Sequence, residues 1–177
     1  MDNIFEPLLR RGPSGLLEPL GAKSWKRSAD GRNFLLTIDT TKRFSDGSYL
    51  TADDFKRSWE EGLKMEAKSA NKSVVDVLSN VKGFESFSNT ETISGVRVIQ
   101  KDLLEIELKK PWRTALEYLG GVRYAAFKLI DGNAIGTGPY VAHENGNSLR
   151  FTPNPYYQGD PVPFQNVVIV VTPFETM

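Results

Sequence analysis

The segment Gly136-Thr-Gly-Pro-Tyr140 constrains the backbone more than any other part of this sequence. Glycine reaches backbone angles that other residues avoid, and proline fixes one angle while favouring an extended conformation in the residue before it. The segment therefore predicts a rigid corner that returns the chain to a central sheet. A second interpretation stays open, in which the side chain of Tyr140 faces a ligand cleft.

Composition and short motifs exclude several kinds of site and partner. Lys and Arg together number 22, as do Asp and Glu, so the formal net charge is zero and no nucleic acid partner is predicted. The sequence has no cysteine, which excludes disulfides and thiolate metal ligands. The Gly-x-Gly at residues 136–138 lacks the further residues of a nucleotide-binding loop. The only histidine, His143, is predicted in an exposed turn, so neither a metal site nor any cofactor is predicted.

The clearest predicted helix begins after the turn Ser45-Asp-Gly47. Thr51 has the residue type of an N-cap, and the carboxylates of Asp53 and Asp54 suit the positive end of a helix. Phe55, Trp59 and Leu63 follow at intervals of four, which predicts one buried helix face.

The remaining elements are predicted from apolar periodicity and turn residues. They are a strand at 34–38, a helix at 74–81 with a stop at Gly83, a hairpin of residues 93–99 and 104–108, a short helix at 112–119, and strands at 148–152 and 167–171. The last strand is apolar enough to be central in a sheet. Together these elements predict a mixed α and β fold (α+β), with a mixed sheet, several hairpins and about three packed helices.

Ten short motifs follow one another along the chain. Each alone is weak evidence for a protein family, but their order is informative when they are taken as a set. They are Ile4-Phe-Glu-Pro-Leu-Leu9, Leu20-Gly-Ala-Lys-Ser-Trp25, Phe44-Ser-Asp-Gly47, Leu50-Thr-Ala-Asp-Asp-Phe55, Ser58-Trp59, Val81-Lys-Gly83, Ile93-Ser-Gly95, Leu108-Lys-Lys-Pro111, Gly136-Thr-Gly-Pro-Tyr140 and Asn154-Pro-Tyr-Tyr157. In this order they resemble the extracellular solute-binding proteins of ABC importers, in the oligopeptide, dipeptide and nickel-binding class (family 5).

This resemblance implies a fold and a role. Proteins of the family have two lobes that close on a ligand, and residues 1–177 correspond to a single first lobe, with residues 44–135 as a helical and hairpin subdomain within it. The implied function is the non-catalytic, substrate-binding component of an ABC importer for a peptide-type solute, with an ABC permease as partner. The parent protein is expected in the periplasm or outside the cell, and the signal segment is absent from this sequence.

Two departures from the family pattern accompany the resemblance. The extended segment that usually precedes the Phe-Glu-Pro-Leu motif and helps to line the cleft is missing, and the stretch between Phe127 and Gly136 is short. We therefore expect a lobe that does not bind ligand tightly by itself. A lobe without its partner exposes apolar surface, so self-association is also expected.

The candidate ligand-binding residues are Ser69, Asn71 and Tyr140. Ser69 and Asn71 lie in the polar loop 68–73, and the resemblance implies that this loop approaches the ligand cleft. Their side chains could hydrogen-bond the main chain of a peptide, whereas the alternative is a polar loop that only connects two helices.

Two other functions stay open. One is a ligand-sensing or protein-interaction domain with the same fold. The other is a carboxylate-dependent hydrolase that uses Asp53 and Asp54, or Glu60 and Glu61. Adjacent acids on a helix point in different directions, which disfavours the hydrolase.

Overall fold

A computed structural model describes residues 3–67 and 75–170 of the chain. Its helices are α1 (Ala52–Ala67), α2 (Val75–Leu78), α3 (Phe87–Thr90) and α4 (Ala115–Leu119). Its strands are β1 (Leu9–Arg11), β2 (Leu17–Pro19), β3 (Ala22–Arg27), β4 (Asn33–Ile38), β5 (Val96–Gln100), β6 (Leu103–Glu107), β7 (Lys128–Ile130), β8 (Asn133–Ile135), β9 (Tyr140–Asn145), β10 (Ser148–Pro153) and β11 (Val167–Val170). The predicted class, mixed α and β, is confirmed.

The main sheet has four strands in the order β3–β4–β6–β5. β4 alternates between buried and half-buried residues, and its buried members Phe34, Leu36 and Ile38 face the core. The strand predicted at 34–38 and the hairpin now seen as β5 and β6 are confirmed. Neighbouring strands in this sheet run antiparallel: β3–β4 and β5–β6 are hairpins, and β4 pairs with β6 across the long segment that contains α1.

Helix α1 packs against this sheet with the face that its periodicity predicts. Phe55 and Trp59 are almost fully buried, and Leu63 is 4% exposed. The Trp59 indole meets Phe55 and Tyr124 edge to face, with both ring centroids 6.4 Å away, and its Nε1 donates to the Tyr124 carbonyl at 2.8 Å. Core residues come from both the sheet and the helices, in a single cluster.

The helix predicted at 74–81 is shorter in the structure, where α2 ends at Leu78. Val81 instead forms an isolated β-bridge with Leu108, and the Lys82 amide donates to the Glu107 carbonyl at 2.9 Å. Pairing with the neighbouring strand thus replaces the last helical turn. Gly83 follows with a left-handed φ of 79°, which glycine adopts without strain.

A second sheet has three strands in the order β11–β10–β9. The strands predicted at 148–152 and 167–171 are found as β10 and β11, with residue 171 outside the described range. The expectation that the second is central is wrong, since β11 pairs only with β10 among the described residues. Its apolar residues are therefore exposed: Val168 at 52%, Ile169 at 51% and Val170 at 61%.

Several β features of the structure are absent from the strands predicted from sequence, and one of them is β9. The strands β1 and β2 form one hairpin, and β3 forms an edge of the main sheet. The strands β7 and β8 form another hairpin, which occupies the short stretch before Gly136.

Residues 44–135 share the main sheet with the rest of the chain, because β6 pairs with β4. The boundaries of the subdomain stay a prediction. None of the described helices is both long and apolar enough to span a membrane.

Candidate functional site

Tyr140 stands at the start of β9 and links three parts of the chain. Its backbone amide donates to the Asn3 carbonyl at 2.8 Å, and its hydroxyl accepts a hydrogen bond from the Phe164 amide at 3.3 Å. The residue is 8% exposed. It therefore joins the amino-terminal segment, the strand and the loop that leads into β11.

The two glycines before Tyr140 allow the backbone of Ile4 to come close. A Cβ at Gly136 would lie 2.2 Å from the Ile4 carbonyl oxygen, and one at Gly138 would lie 2.6 Å from the Ile4 carbonyl carbon. Neither glycine has a left-handed φ. The rigid corner predicted here is thus held by close approach of two backbone segments, and the interpretation from unusual backbone angles is wrong.

Asn154 closes the same corner from the other side. Its side-chain Nδ2 donates to the Gly138 carbonyl at 2.9 Å, while its Oδ1 accepts from the Tyr156 amide at 2.9 Å. The residue is 5% exposed, and its amide side chain satisfies the buried Gly138 carbonyl and the partly buried Tyr156 amide. Sequence reasoning used Asn154 only as part of a motif and missed this role.

An apolar cleft of about 810 Å³ opens beside Tyr140, between one face of the β9–β11 sheet and the surrounding loops. We call it the β11 cleft. Its lining comprises Asn3, Ile4, Phe5, Pro139, Tyr140, Leu149, Phe151, Tyr157, Asp160, Pro161, Val162, Pro163, Phe164, Val167 and Ile169. Mostly apolar walls with a few polar groups are typical of small-molecule sites and of surfaces that bind other chains.

Tyr157 supplies a polar group to the β11 cleft and also lines a neighbouring pocket that contains the ion pair of Glu6 and Lys42. Burial raises the pKa of the Tyr157 hydroxyl above its usual value, and the carboxylates of Glu6 and Asp160 act in the same direction. Glu6 is 5% exposed, and both of its carboxylate oxygens lie 2.9 Å from the Lys42 Nζ. Because the Glu6 carboxylate is paired in this way, it is not available as a free charge for a ligand.

Residues 17–176 match the model of one protein family, described as bacterial extracellular solute-binding proteins, family 5 middle region. The chain belongs to this family. The resemblance inferred from the ordered motifs is therefore confirmed.

Individual relatives of this family 5 chain are periplasmic binding proteins. The periplasmic murein peptide-binding protein MppA of Escherichia coli is 25% identical over 169 residues, which cover 88% of this chain and 31% of that protein. The nickel-binding periplasmic protein of Escherichia coli is also 25% identical, over 98% of this chain and 33% of its own length. The chain thus spans about a third of the length of these relatives.

The fold is also found in a solved structure of the same kind. Listeria monocytogenes OppA bound to peptide matches 97% of this chain and 37% of its own, with a TM-score of 0.79 and 17% identity. At this identity the likeness shows the fold alone. The predicted fold, a lobe like those of periplasmic binding proteins, is confirmed.

The three predicted ligand-binding residues of this family 5 chain are not brought together by what the structure describes. Tyr140 lines the β11 cleft. Ser69 and Asn71 lie outside the described residues, in the segment between α1 and α2. Their role stays a prediction.

The carboxylates considered for a hydrolase have structural partners. Asp54 accepts hydrogen bonds from the Thr51 amide at 2.8 Å and the Thr51 hydroxyl at 2.7 Å, and it also pairs with Arg57. Glu60 accepts from the Thr92 hydroxyl at 2.7 Å and the Ile93 amide at 3.0 Å. These contacts cap α1 and anchor the loop before β5, so one acid of each pair is engaged in the fold.

His143 lies in strand β9 and not in a turn, as the sequence had suggested. Its side chain is exposed, with Nε2 3.0 Å from the Thr152 hydroxyl on the neighbouring strand. Within residues 3–67 and 75–170, no group of three or more His, Cys, Asp or Glu side chains is placed to hold a metal ion.

Proposed function

We propose that this chain belongs to the substrate-binding component of an ABC importer, and that the solute is of the peptide type. The observation that carries the proposal is the family match over residues 17–176. The names of relatives, which include murein peptide-binding, dipeptide-binding and nickel-binding proteins, define the range of solutes to test. The role is non-catalytic binding, with an ABC permease as partner and a periplasmic or extracellular location for the parent protein.

In this proposal, residues 1–177 form the first lobe of a two-lobed receptor. The chain covers about a third of the length of its relatives, so the second lobe of this receptor would lie outside residues 1–177. Ligand would stabilise the closed receptor through its higher affinity for that state. One lobe offers only part of the contacts and no enclosure, so the chain alone is expected to bind weakly.

The three predicted ligand-binding residues are given two different roles in this proposal. Ser69 and Asn71 would hydrogen-bond the main chain of a peptide, which permits varied side chains in the solute. Tyr140 would act differently, because it is only 8% exposed and the hydrogen bond from the Phe164 amide to its hydroxyl ties it to the loop before β11. Its contribution is to hold the wall of the cleft in place.

The test is solute uptake by cells in which the gene for this chain is deleted. Labelled di- and oligopeptides and labelled Ni²⁺ are supplied separately, and uptake is compared with that of the parent strain and of the complemented deletion. We expect peptide uptake to fall and to return on complementation. Unchanged uptake of every solute would contradict the proposal and favour the alternative, a sensing or protein-interaction domain.

A complementing gene with Ser69→Ala and Asn71→Ala tests the assigned contacts. The matched control is Ser88→Ala with Asn89→Ala, two exposed residues of the same types in α3. We expect the first pair to raise the solute concentration needed for half-maximal uptake about tenfold, as loss of one or two hydrogen bonds implies. Equal uptake by the two double variants would show that Ser69 and Asn71 do not contact the solute.

A further inference from the structure

The edge strand β11 has the surface chemistry of a strand that is buried on both faces. Successive side chains in a strand point to opposite faces, so Val167 and Ile169 share the face that lines the β11 cleft. Val168 and Val170 lie on the other face and are 52% and 61% exposed. Apolar residues on both faces are typical of central strands, yet the described residues place a neighbour on one edge only.

The other edges of the two larger sheets in the described part of the chain carry charged residues. β3, at one edge of the main sheet, carries Lys23, Lys26 and Arg27. β5, at the opposite edge, carries Arg97, and β9 carries Glu144. Charged residues on an edge strand oppose pairing with another chain, and β11 has none.

The lack of charge extends well beyond β11. Between Asp160 and Glu175 the sequence contains no charged residue. Two copies of this stretch can therefore approach each other without repulsion between like charges. A different partner surface would need no such neutrality, because charges of opposite sign could then be matched.

We propose that the 177-residue chain pairs with a second copy of itself through β11. Two antiparallel β11 strands related by a two-fold axis would join the three-stranded sheets into one sheet of six strands, β9–β10–β11 followed by β11–β10–β9 of the other copy. The open edge of β11 gains ladder hydrogen bonds in this arrangement. The β11 clefts of the two copies then lie on the same face of the sheet and extend the contact.

The size of this surface predicts a dimer that dissociates on dilution. A stable interface usually takes about 20–30 residues from each partner. The fifteen residues that line the β11 cleft, together with Val168 and Val170, fall somewhat short of that range. The pairing is independent of the proposed uptake function, and the two fail separately.

Sedimentation velocity of the 177-residue chain over a wide range of concentrations tests the pairing. We expect a mass near twice 19.8 kDa at high concentration and near 19.8 kDa on dilution. Val168→Lys is expected to raise the dissociation constant of the dimer at least tenfold, because it places a charge where the two β11 strands meet. Its matched control is Val98→Lys, on the edge strand β5, where the valine is 37% exposed; this variant should associate like the unchanged chain.

A mixture of two charge variants shows whether the dimer is lost through disrupted β11 pairing or through a general loss of stability. Val168→Lys and Val168→Glu should each be monomeric alone, and their mixture should recover the dimer, since opposite charges then meet across the two-fold axis. Circular dichroism checks that both variants are folded. A chain that is monomeric at all concentrations would overturn the proposal, as would a dimer that Val168→Lys leaves unchanged.

Discussion

Gly136 and Gly138 illustrate how much of this fold depends on single residues. They meet the backbone of Ile4, and the Gly138 amide donates to the Ile4 carbonyl at 2.8 Å. Any side chain at either position would separate the amino-terminal segment from β9. Because that segment also lines the β11 cleft, these glycines control both stability and the shape of the cleft.

Gly136→Ala is expected to destabilise the chain by about 2–3 kcal/mol, because the added methyl group would overlap the Ile4 carbonyl and force the backbone to move. Urea unfolding followed by tryptophan fluorescence measures the change. Gly121→Ala is the control, since a Cβ there meets nothing closer than the Tyr118 carbonyl oxygen at 3.1 Å. Equal losses in the two variants would show that close approach to Ile4 is not the cause.

Asp30 gives the chain a defined response to acid. Hydrogen bonds from the Ser28 hydroxyl at 2.6 Å and from Arg32 lower the pKa of Asp30 to about 2, against an ordinary value of 3.8. A carboxyl with a lowered pKa in the folded chain stabilises it above the unfolded value and loses this effect as the pH falls. The contribution of Asp30 is therefore complete above about pH 4 and disappears towards pH 2.

The check is the pH dependence of unfolding in urea between pH 5 and pH 2. Asp30→Asn should lose less stability than the unchanged chain over this interval, since its side chain no longer takes up a proton. Ser28→Ala should move the curve in the same direction by a smaller amount, because it removes the first of the hydrogen bonds. Parallel curves for all three chains would be inconsistent with this account.

For single residues, the sequence predicts contacts between residues that are close in the chain and misses contacts between residues that are far apart in it. The pairing of Thr51 with Asp54 joins residues three positions apart, so residue types and spacing suffice. The contact of Asn154 with Gly138 joins two loops sixteen residues apart. Nothing in either local sequence indicates that the other will be near.

Among the elements, α1 is held in place at several points along its length. Its first turn is capped through Asp54, and its Ser58 hydroxyl donates to the Phe127 carbonyl at 2.9 Å, just before β7. Glu60 anchors the loop before β5. The helix thereby connects the main sheet with the chain that leads to the Gly136 corner.

Asp54→Ala removes the cap of α1 and is expected to lower the free energy of unfolding by about 1–2 kcal/mol. The lost contacts are those with the Thr51 amide and hydroxyl and with Arg57. Asp53→Ala is the matched control: this neighbouring acid is exposed in the same helical turn, and its loss should cost about 0.5 kcal/mol. Urea unfolding measures the free energy of unfolding of both variants. A larger decrease for Asp53→Ala than for Asp54→Ala would contradict the capping role of Asp54.

Elements with strong periodicity could be predicted from sequence, whereas short ones could not. Helix α1 shows its buried face at intervals of four, and β4 alternates. The hairpin of β7 and β8 has three residues in each strand and was missed, although Asp131-Gly132 is a recognised hairpin turn and both residues have left-handed φ. For β11 the apolar run predicted burial, but pairing depends on which strands are present beside it.

For the whole molecule, the family and the fold were accessible from sequence because ten motifs occur in order. The proposed solute contacts were harder to predict, because they would depend on both walls of a cleft and the chain spans about a third of the length of its relatives. We propose that this chain contributes one lobe to solute binding and does not form an enclosed site.

Thermal unfolding of the 177-residue chain, with and without a mixed pool of di- to oligopeptides, tests that claim most directly. A specific ligand at 100 times its dissociation constant adds about 2.7 kcal/mol of stability, which would raise the midpoint by roughly 5–10 °C in a chain of this size. A single lobe without an enclosed site should show no saturable shift of the midpoint. A saturable rise of several degrees would mean that the chain alone carries a complete binding site, and would contradict the assignment of a single lobe.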